Sequence, residues 1–220
     1  MLILGIDTST SAIAVGLTDG AGRVATRSRL DARGHTEHLA PLVAELLGAE
    51  GVAPADLTAV VVGTGPGPFT GLRVGMVTGV TMGHALGIPV HGICSLDVLA
   101  EQVVAAGPVG DRFVVATDAR RREVYWAEYR VDGGAVVRAS GPAVDRPAEL
   151  PDTVRALPTA GRGPVLYPEL FGSPVEVLDV DAGVLATLGA RGIAAGSSMP
   201  VEPLYLRRPD ALTTAERARS

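Results

Sequence analysis

The stretch LILGIDTSTSAIAVGLTDGAGRVATRSRL, residues 2–30, contains three short runs rich in aliphatic residues. Serine and threonine residues separate the first two runs, and Asp19-Gly20-Ala21-Gly22 separates the second from the third. Short apolar runs bounded by such residues are typical of β-strands joined by tight turns. We therefore predict that the chain begins with an antiparallel meander of three strands.

The following residues, up to 106, predict helices that alternate with strands. TEHLAPLVAELL places its leucines at helical spacing, LTAVVVGTG and IPVHGI indicate buried strands, and SLDVLAEQVVAA indicates a helix capped by Ser95. Between the two strands, proline before Phe69 and glycine before Pro89 predict a helix from about Gly71 to Leu86, capped by Thr70. The order βββαβαβα is expected of an α/β subdomain of the actin-like, ribonuclease-H-like kind.

A second, smaller unit is predicted to follow. Gly107, Pro108 and Gly110 mark a boundary, and the next residues indicate strand, turn, strand, a hairpin at Gly133-Gly134 and a further strand. One helical run is expected from Ala182 to Ala194. We predict an N-terminal subdomain over residues 1–106 and a C-terminal subdomain over 107–204, with 205–220 packing back on the first.

Composition excludes several classes of protein. The 220 residues are 47% hydrophobic with a net charge of -5, which argues against a free-standing nucleic-acid binder. The single cysteine, the absence of a basic leader and the lack of a long apolar run predict a cytoplasmic protein without a membrane span. All 19 basic residues are arginine, so the chain has neither a Walker lysine nor a Schiff-base lysine.

Five glycines recur at intervals of four residues in GPGPFTGLRVGMVTGVTMGHALG, residues 65–87: Gly71, Gly75, Gly79, Gly83 and Gly87. Each glycine inside a helix costs about 0.5–1 kcal/mol relative to alanine. The glycines must therefore allow a close approach that a side chain would prevent. Two alternatives stay open: they seat the helix on its own sheet, or they receive another helix of this chain or of another subunit. Since a helix has two faces, both can hold together.

Two segments resemble the phosphate-binding parts of nucleotide-dependent proteins. GTGPGPFTGLR lies between strand and helix but lacks the Rossmann glycine spacing and the Walker lysine, and GIDTSTSAIAVGL places Asp7 in a hairpin where actin-like ATPases hold phosphate and metal. In the matching hairpin after Asp118, arginines replace small residues. Plain structural turns remain the alternative. The candidate contacts of this degenerate site are Asp7, Thr8, Ser9, Gly65, Gly67, Phe69, Thr70, Arg73, Asp118 and Arg120.

The four histidines predict no metal centre. His35 and His38 are three residues apart, and His84 and His91 lie on a predicted helix and strand. None shows the four-residue helical spacing that brings two imidazoles to one ion.

Several motifs together resemble the TsaB (YeaZ) family: GIDTSTSAIAVGL, HTEHLAPLV, GTGPGPFTGLRVG, SLDVLA, DARRREVYW and PLYLRRP. They occur in order from Leu2 to Pro209 and cover nearly the whole chain. The family usually has serine where this chain has Pro68. The resemblance implies an actin-like (ASKHA) fold of two subdomains, each with a mixed sheet and flanking helices.

The resemblance also implies a function. Such proteins are non-catalytic scaffolds in the synthesis of threonylcarbamoyladenosine, at the adenosine beside the anticodon of tRNA. The catalytic paralogue TsaD and the ATPase TsaE use the metal and ATP, this chain needs no cofactor, and tRNA is bound through the complex. Members form homodimers alone and pair with TsaD through their first two helices. The implied interface residues are His35, Leu39, Leu42, Val43, Leu46, Gly71, Val74, Gly75, Thr78, Gly79, Met82 and Gly83.

Two other functions remain open at this point. The same fold also supports ATP-dependent small-molecule kinases and ATPases, which the DARR turn disfavours. An older glycoprotease label attached to relatives suggests a peptidase that cleaves its partner, although no residues in the sequence assemble a proteolytic site.

Overall fold

A computed structural model describes residues 1–31 and 34–207 of the chain, which form two five-stranded mixed sheets with flanking helices. The strands are β1 (Ile3–Asp7), β2 (Ala12–Thr18), β3 (Val24–Leu30), β4 (Ala59–Gly63), β5 (Val90–Ile93), β6 (Arg112–Asp118), β7 (Val124–Asp132), β8 (Ala135–Asp145), β9 (Pro158–Ala160) and β10 (Ser173–Pro174). The helices are α1 (His35–Ala49), α2 (Phe69–Leu86), α3 (Ser95–Ala106), α4 (Asp152–Arg155), α5 (Gly163–Leu166) and α6 (Ala182–Ala194). The predicted fold class is confirmed.

The first sheet has the strand order β3-β2-β1-β4-β5, and the predicted order βββαβαβα is correct. β1 pairs antiparallel with β2 and parallel with β4. Side chains alternate between the two faces of β1: Leu4 and Ile6 pack with residues of α1 and α2, while Ile3 packs with residues of α3 and α6. Helices therefore cover both faces of this sheet.

The second sheet has the order β10-β9-β6-β7-β8. β6, β7 and β8 are the three predicted strands and pair antiparallel. Gly133 and Gly134 turn the predicted hairpin with φ of 58° and 86°, which glycine adopts without steric cost. The aromatic rings of Phe113 and Tyr129 stack at 5.5 Å between centroids in the core beneath this sheet.

Helix α6 has the predicted bounds, but it packs on the first sheet rather than the second. Gly5 and Gly16 lack side chains where the backbone of Ala182 crosses β1 and β2. The residues after α6 stay with this sheet, since the amide of Gly92 donates to Met199 O and that of Leu204 to Thr64 O. Our assignment of residues 182–204 to the C-terminal subdomain is therefore wrong, because an apolar helix face does not specify which sheet it covers.

The described residues after 204 contact both subdomains. The Tyr205 ring lies 5.1 Å from that of Phe69 on α2, whereas Arg207 donates to Ala119 O and forms an ion pair with Glu123, both in the β6–β7 turn. Residues 208–220, which we also expected to pack back on the first subdomain, lie outside the described residues.

Two predicted helix starts need correction. α2 begins at Phe69 after Pro68, so Thr70 is inside the helix and does not cap it. α3 begins at Ser95 after Cys94, and its serine hydroxyl bonds elsewhere instead of capping the helix. Within the described ranges, none of the helices combines the length and apolar character that a membrane crossing requires.

Candidate functional site

Asp7 lies at the end of β1 with 1% of its surface exposed, and its carboxylate is held by side chains of its own chain. Ser95 Oγ donates to Oδ2 at 2.5 Å, and the amide and hydroxyl of Ser9 both donate to Oδ1 at 2.8 Å. Burial raises the pKa of Asp7, and the hydrogen bonds from Ser95 and Ser9 oppose that shift. The expected carboxylate that bonds its own turn is present, and Ser95 fills the remaining side.

Thr8 is used in the same internal way. Its hydroxyl donates to Gly71 O at 2.7 Å and accepts from the amide of Gly75 at 2.8 Å. Thr8 is buried, so this hydroxyl connects the β1–β2 turn to the first turns of α2.

The GPGPF loop connects the two subdomains. The amide of Gly65 donates to Ser95 Oγ at 3.2 Å, and the hydroxyl of Tyr125 on β7 donates to Gly67 O at 3.3 Å. A Cβ on Gly67 would overlap the backbone of Ser9. The loop therefore closes against the first hairpin, in the place where a phosphate loop would face its ligand.

The second hairpin carries Asp118 and Arg120, which the sequence matched to a degraded phosphate contact. Asp118 Oδ1 accepts from the amide of Arg120 at 2.7 Å, and the guanidinium lies 3.1 Å from Oδ2. These two residues, Thr10 and Arg162 line a cavity between the subdomains of only ≈ 10 Å³. Such a volume holds about one water molecule, so a nucleotide does not fit in this arrangement.

The glycine stripe of α2 faces the sheet of its own chain. A Cβ on Gly75 would lie less than 3.0 Å from Thr8, one on Gly79 from Val62, and one on Gly83 from Val90. All the stripe residues inside the helix are buried. These glycines therefore seat α2 on its own sheet, as the first alternative states, and the side of the helix that carries them is not free to receive a helix of another subunit.

The opposite side of α2 is exposed and apolar. Residues are separated by about 100° around a helix, so Phe69, Arg73 and Val77, two positions out of step with the glycines, point about 200° away from them. Phe69 is 42% and Val77 59% exposed, and the guanidinium of Arg73 lies 4.7 Å from the Phe69 ring centroid. A shallow groove between this stripe and α1 is lined by Thr36, Leu39, Ala40, Phe69, Thr70, Arg73, Val74, Val77 and Thr78.

The predicted interface residues thus separate into two groups. His35, Leu39, Leu42, Val43 and Leu46 are buried on α1, and the glycines are buried on α2. Val74, Thr78 and Met82 are half-buried, and Val74 and Thr78 line the groove. The sequence analysis missed Val77, Val80 and Tyr205, which are 59%, 46% and 43% exposed. For Val77, the four-residue spacing from Phe69 and Arg73 was the available signal.

The histidines are used in local contacts. His35 Nε2 lies 3.2 Å from Thr10 O, and His38 Nε2 lies 3.3 Å from Asp31 Oδ2. Among residues 1–31 and 34–207, no three His, Cys, Asp or Glu side chains are grouped as metal ligands.

Comparison with known proteins adds sequence and structural relatives. A family model described as TsaD, tRNA N6-adenosine threonylcarbamoyltransferase, matches residues 28–159. An uncharacterized protein of Mycobacterium leprae is 46% identical over 96% of this chain, which spans only 56% of that protein. The Escherichia coli tRNA threonylcarbamoyladenosine biosynthesis protein TsaB is 33% identical over 94% of this chain and 95% of its own length.

A solved structure agrees with these relatives. YeaZ from Pseudomonas aeruginosa superposes with a TM-score of 0.79 at 30% identity, covering 93% of this chain and 99% of that one. The match includes both subdomains. With the motifs in order along the sequence, the same two-sheet architecture and a TsaB relative aligned over almost its full length, the chain belongs to the TsaB (YeaZ) family.

Proposed function

We propose that this chain is a non-catalytic subunit of the complex that transfers threonylcarbamoyl to the adenosine beside the anticodon of tRNA. The observation that carries the proposal is the cleft between the subdomains. There the Asp7 carboxylate is occupied by Ser9 and Ser95, and Asp118 by Arg120. Because these two hairpins bind side chains of their own chain, this subunit supports catalysis by a partner subunit and does not carry it out itself. The partner subunits use the ATP and the metal.

The partner surface in this proposal is the outer face of α1 and α2, which we call the pairing face: Phe69, Arg73, Val77, Val80 and the groove beside them. Aromatic and arginine side chains beside an apolar groove are typical of the centre of a protein interface. Tyr205 extends the face by stacking on Phe69. The partner is a TsaD-type catalytic paralogue, a TsaE-type ATPase completes the complex, and the chain alone forms a homodimer through the same face.

The first test is the mass in solution, measured by light scattering for the protein alone and mixed with its TsaD-type partner. We expect a homodimer that exchanges into a heteromer, and threonylcarbamoyl transfer to tRNA only when both are present. Turnover by this chain alone would contradict the scaffold function. Marked thermal stabilisation of the isolated chain by ATP would instead support a kinase or ATPase.

A matched pair of substitutions tests the location of the pairing face. Val77 and Val165 are both exposed helical valines, at 59% and 57%, but only Val77 lies on the face. Val77→Asp buries a carboxylate on association at a cost of about 3 kcal/mol, so pairing should weaken roughly 100-fold. Val165→Asp should pair normally. Equal behaviour of the two variants would place the interface elsewhere.

A further inference from the structure

Three consecutive arginines in the β6–β7 turn have a left-handed backbone. Arg120, Arg121 and Arg122 have φ of 62°, 54° and 63°. For residues other than glycine this region costs about 1–2 kcal/mol each, and glycine or asparagine would fill such a turn at lower cost. Strained residues of this kind concentrate at functional sites, so the arginine side chains need a reason to be there.

The turn is held from several directions. The amide of Ala119 donates to Glu123 O and that of Glu123 to Arg120 O, both at 3.0 Å. Asp118 accepts from the Arg120 amide, and Arg207 binds Ala119 O and the Glu123 carboxylate. The positions of the arginine Cα atoms are therefore fixed before any ligand arrives.

The turn is also a local concentration of positive charge on a chain with a net charge of -5. Among the described residues, the carboxylates near the turn pair with other arginines: Asp118 with Arg120, Asp179 with Arg162, and Glu123 with Arg207. Arg122 is exposed, and the described part of the chain offers it no ion pair. Burial and the charge of Asp118 raise the pKa of the Tyr167 phenol, and Arg122 is close enough to oppose that rise.

The turn lies beside the pairing face. Tyr205 stacks on Phe69 at the edge of that face, and Arg207, two residues later, binds the turn. Tyr125, at the start of β7, bonds to Gly67 O near the beginning of α2. The turn is therefore tied to the edge of the pairing face, so a large ligand bound at that edge would be within reach of these arginines.

We propose that the arginine turn, through Arg122, contacts the phosphate backbone of tRNA held by the assembled complex. The inference rests on the proposed function, which brings tRNA to this subunit. Guanidinium groups bind phosphate oxygens bidentately, and a neighbouring tyrosine ring offers a stacking surface for an unpaired base. Contacts of this kind position the RNA without reading its sequence. The turn thus adds a local RNA contact to an acidic protein.

The test is the salt dependence of tRNA binding to the complete complex, measured by filter binding with wild type and variants. Arg122→Ala should weaken binding and reduce the slope of log K against log salt by about 1. Arg122→Lys should keep most of the slope, because it keeps the charge. The control is Arg130→Ala, which removes an exposed arginine near the far end of β7, the strand that follows the turn, and should leave the slope unchanged.

Each outcome separates this inference from the proposed function. If the wild-type chain neither pairs nor supports transfer, the proposed function fails and the inference fails with it. If pairing and transfer are normal but Arg122→Ala keeps the wild-type slope, the inference alone is overturned. Weakened pairing with unchanged tRNA binding would also overturn it, because the turn would then contact an acidic surface of the partner protein.

Discussion

Replacing Gly79 with alanine tests how α2 is seated on its sheet, and Gly48→Ala is the matched control. Both glycines lie in helices, Gly79 in α2 and Gly48 in α1. A Cβ on Gly79 would lie less than 3.0 Å from Val62 and 3.3 Å from Val60, whereas a Cβ on Gly48 would have no atom within 4 Å. The two substitutions therefore share the helix-propensity gain and differ in packing.

The magnitudes follow from these two surroundings. Alanine should stabilise the helix by up to about 1 kcal/mol at either position. At Gly79 the added methyl group must displace Val62, a fully buried residue in the centre of the sheet, at a cost of about 1–3 kcal/mol. The free energies of unfolding of the two variants should therefore differ by about 1–3 kcal/mol, or a melting difference on the order of 5 °C for a chain of this size.

Urea unfolding followed by circular dichroism measures the difference, and light scattering measures pairing in the same samples. We expect Gly79→Ala to be the less stable variant and to pair as wild type does at temperatures where it is folded. If Gly79→Ala were instead as stable as Gly48→Ala and failed to pair, the glycine stripe would belong to the intersubunit contact after all.

Three further predictions concern buried or tied side chains. Because the pKa of Asp7 is raised in the folded protein, its contribution to stability is complete below its ordinary pKa of 3.8 and is lost as the pH rises through the raised value. The free energy of unfolding of Asp7→Asn should therefore depend less on pH than that of wild type, and an unchanged pH profile would contradict this. Burial raises the pKa of the Cys94 thiol to about 11, so a thiol reagent should label it only after unfolding, and rapid native labelling would refute its burial. Arg138→Ala should lower the free energy of unfolding in urea by about 1 kcal/mol, because solvent screens its partly exposed bidentate pair with Asp97. Arg130→Ala, which removes a looser pair with Asp132, should lower it less, and equal losses would count against the bidentate geometry.

Local patterns predicted most of the first subdomain. Alternating turn residues and aliphatic runs specify the meander of β1, β2 and β3, and each later helix must cross back to a strand beside it. The Gly133-Gly134 hairpin was equally clear from its two residues. The packing of α6 could not be predicted in this way. Its apolar face shows that it is covered, but β1 and β2, the strands that it contacts most, lie more than 150 positions earlier, as the contact of Gly16 with Ala182 shows.

The candidate site was predictable to a similar extent. A short-range bond such as Ser9 to Asp7 follows from the turn itself. The bond from Ser95, 88 residues away, depends on how α3 meets β1 and has no local signal. The glycines indicated a close approach correctly, but a helix has two sides, and spacing alone did not say which one the sheet occupies. The four-residue spacing of Phe69, Arg73 and Val77 was a signal for the outer side that the sequence analysis did not use, and the structure shows that this side is exposed.

The glycine contact of α2 also affects how the pairing face meets a partner. A helix seated on its sheet without intervening side chains has no rotamers to rearrange there, and any slide along its axis would drive a neighbouring residue into Val62 or Val90. The outer stripe is therefore presented at one fixed height and angle, before and after association. Little conformational entropy remains to be lost when a partner binds, so the affinity of the face depends on its own contacts and not on an ordering step.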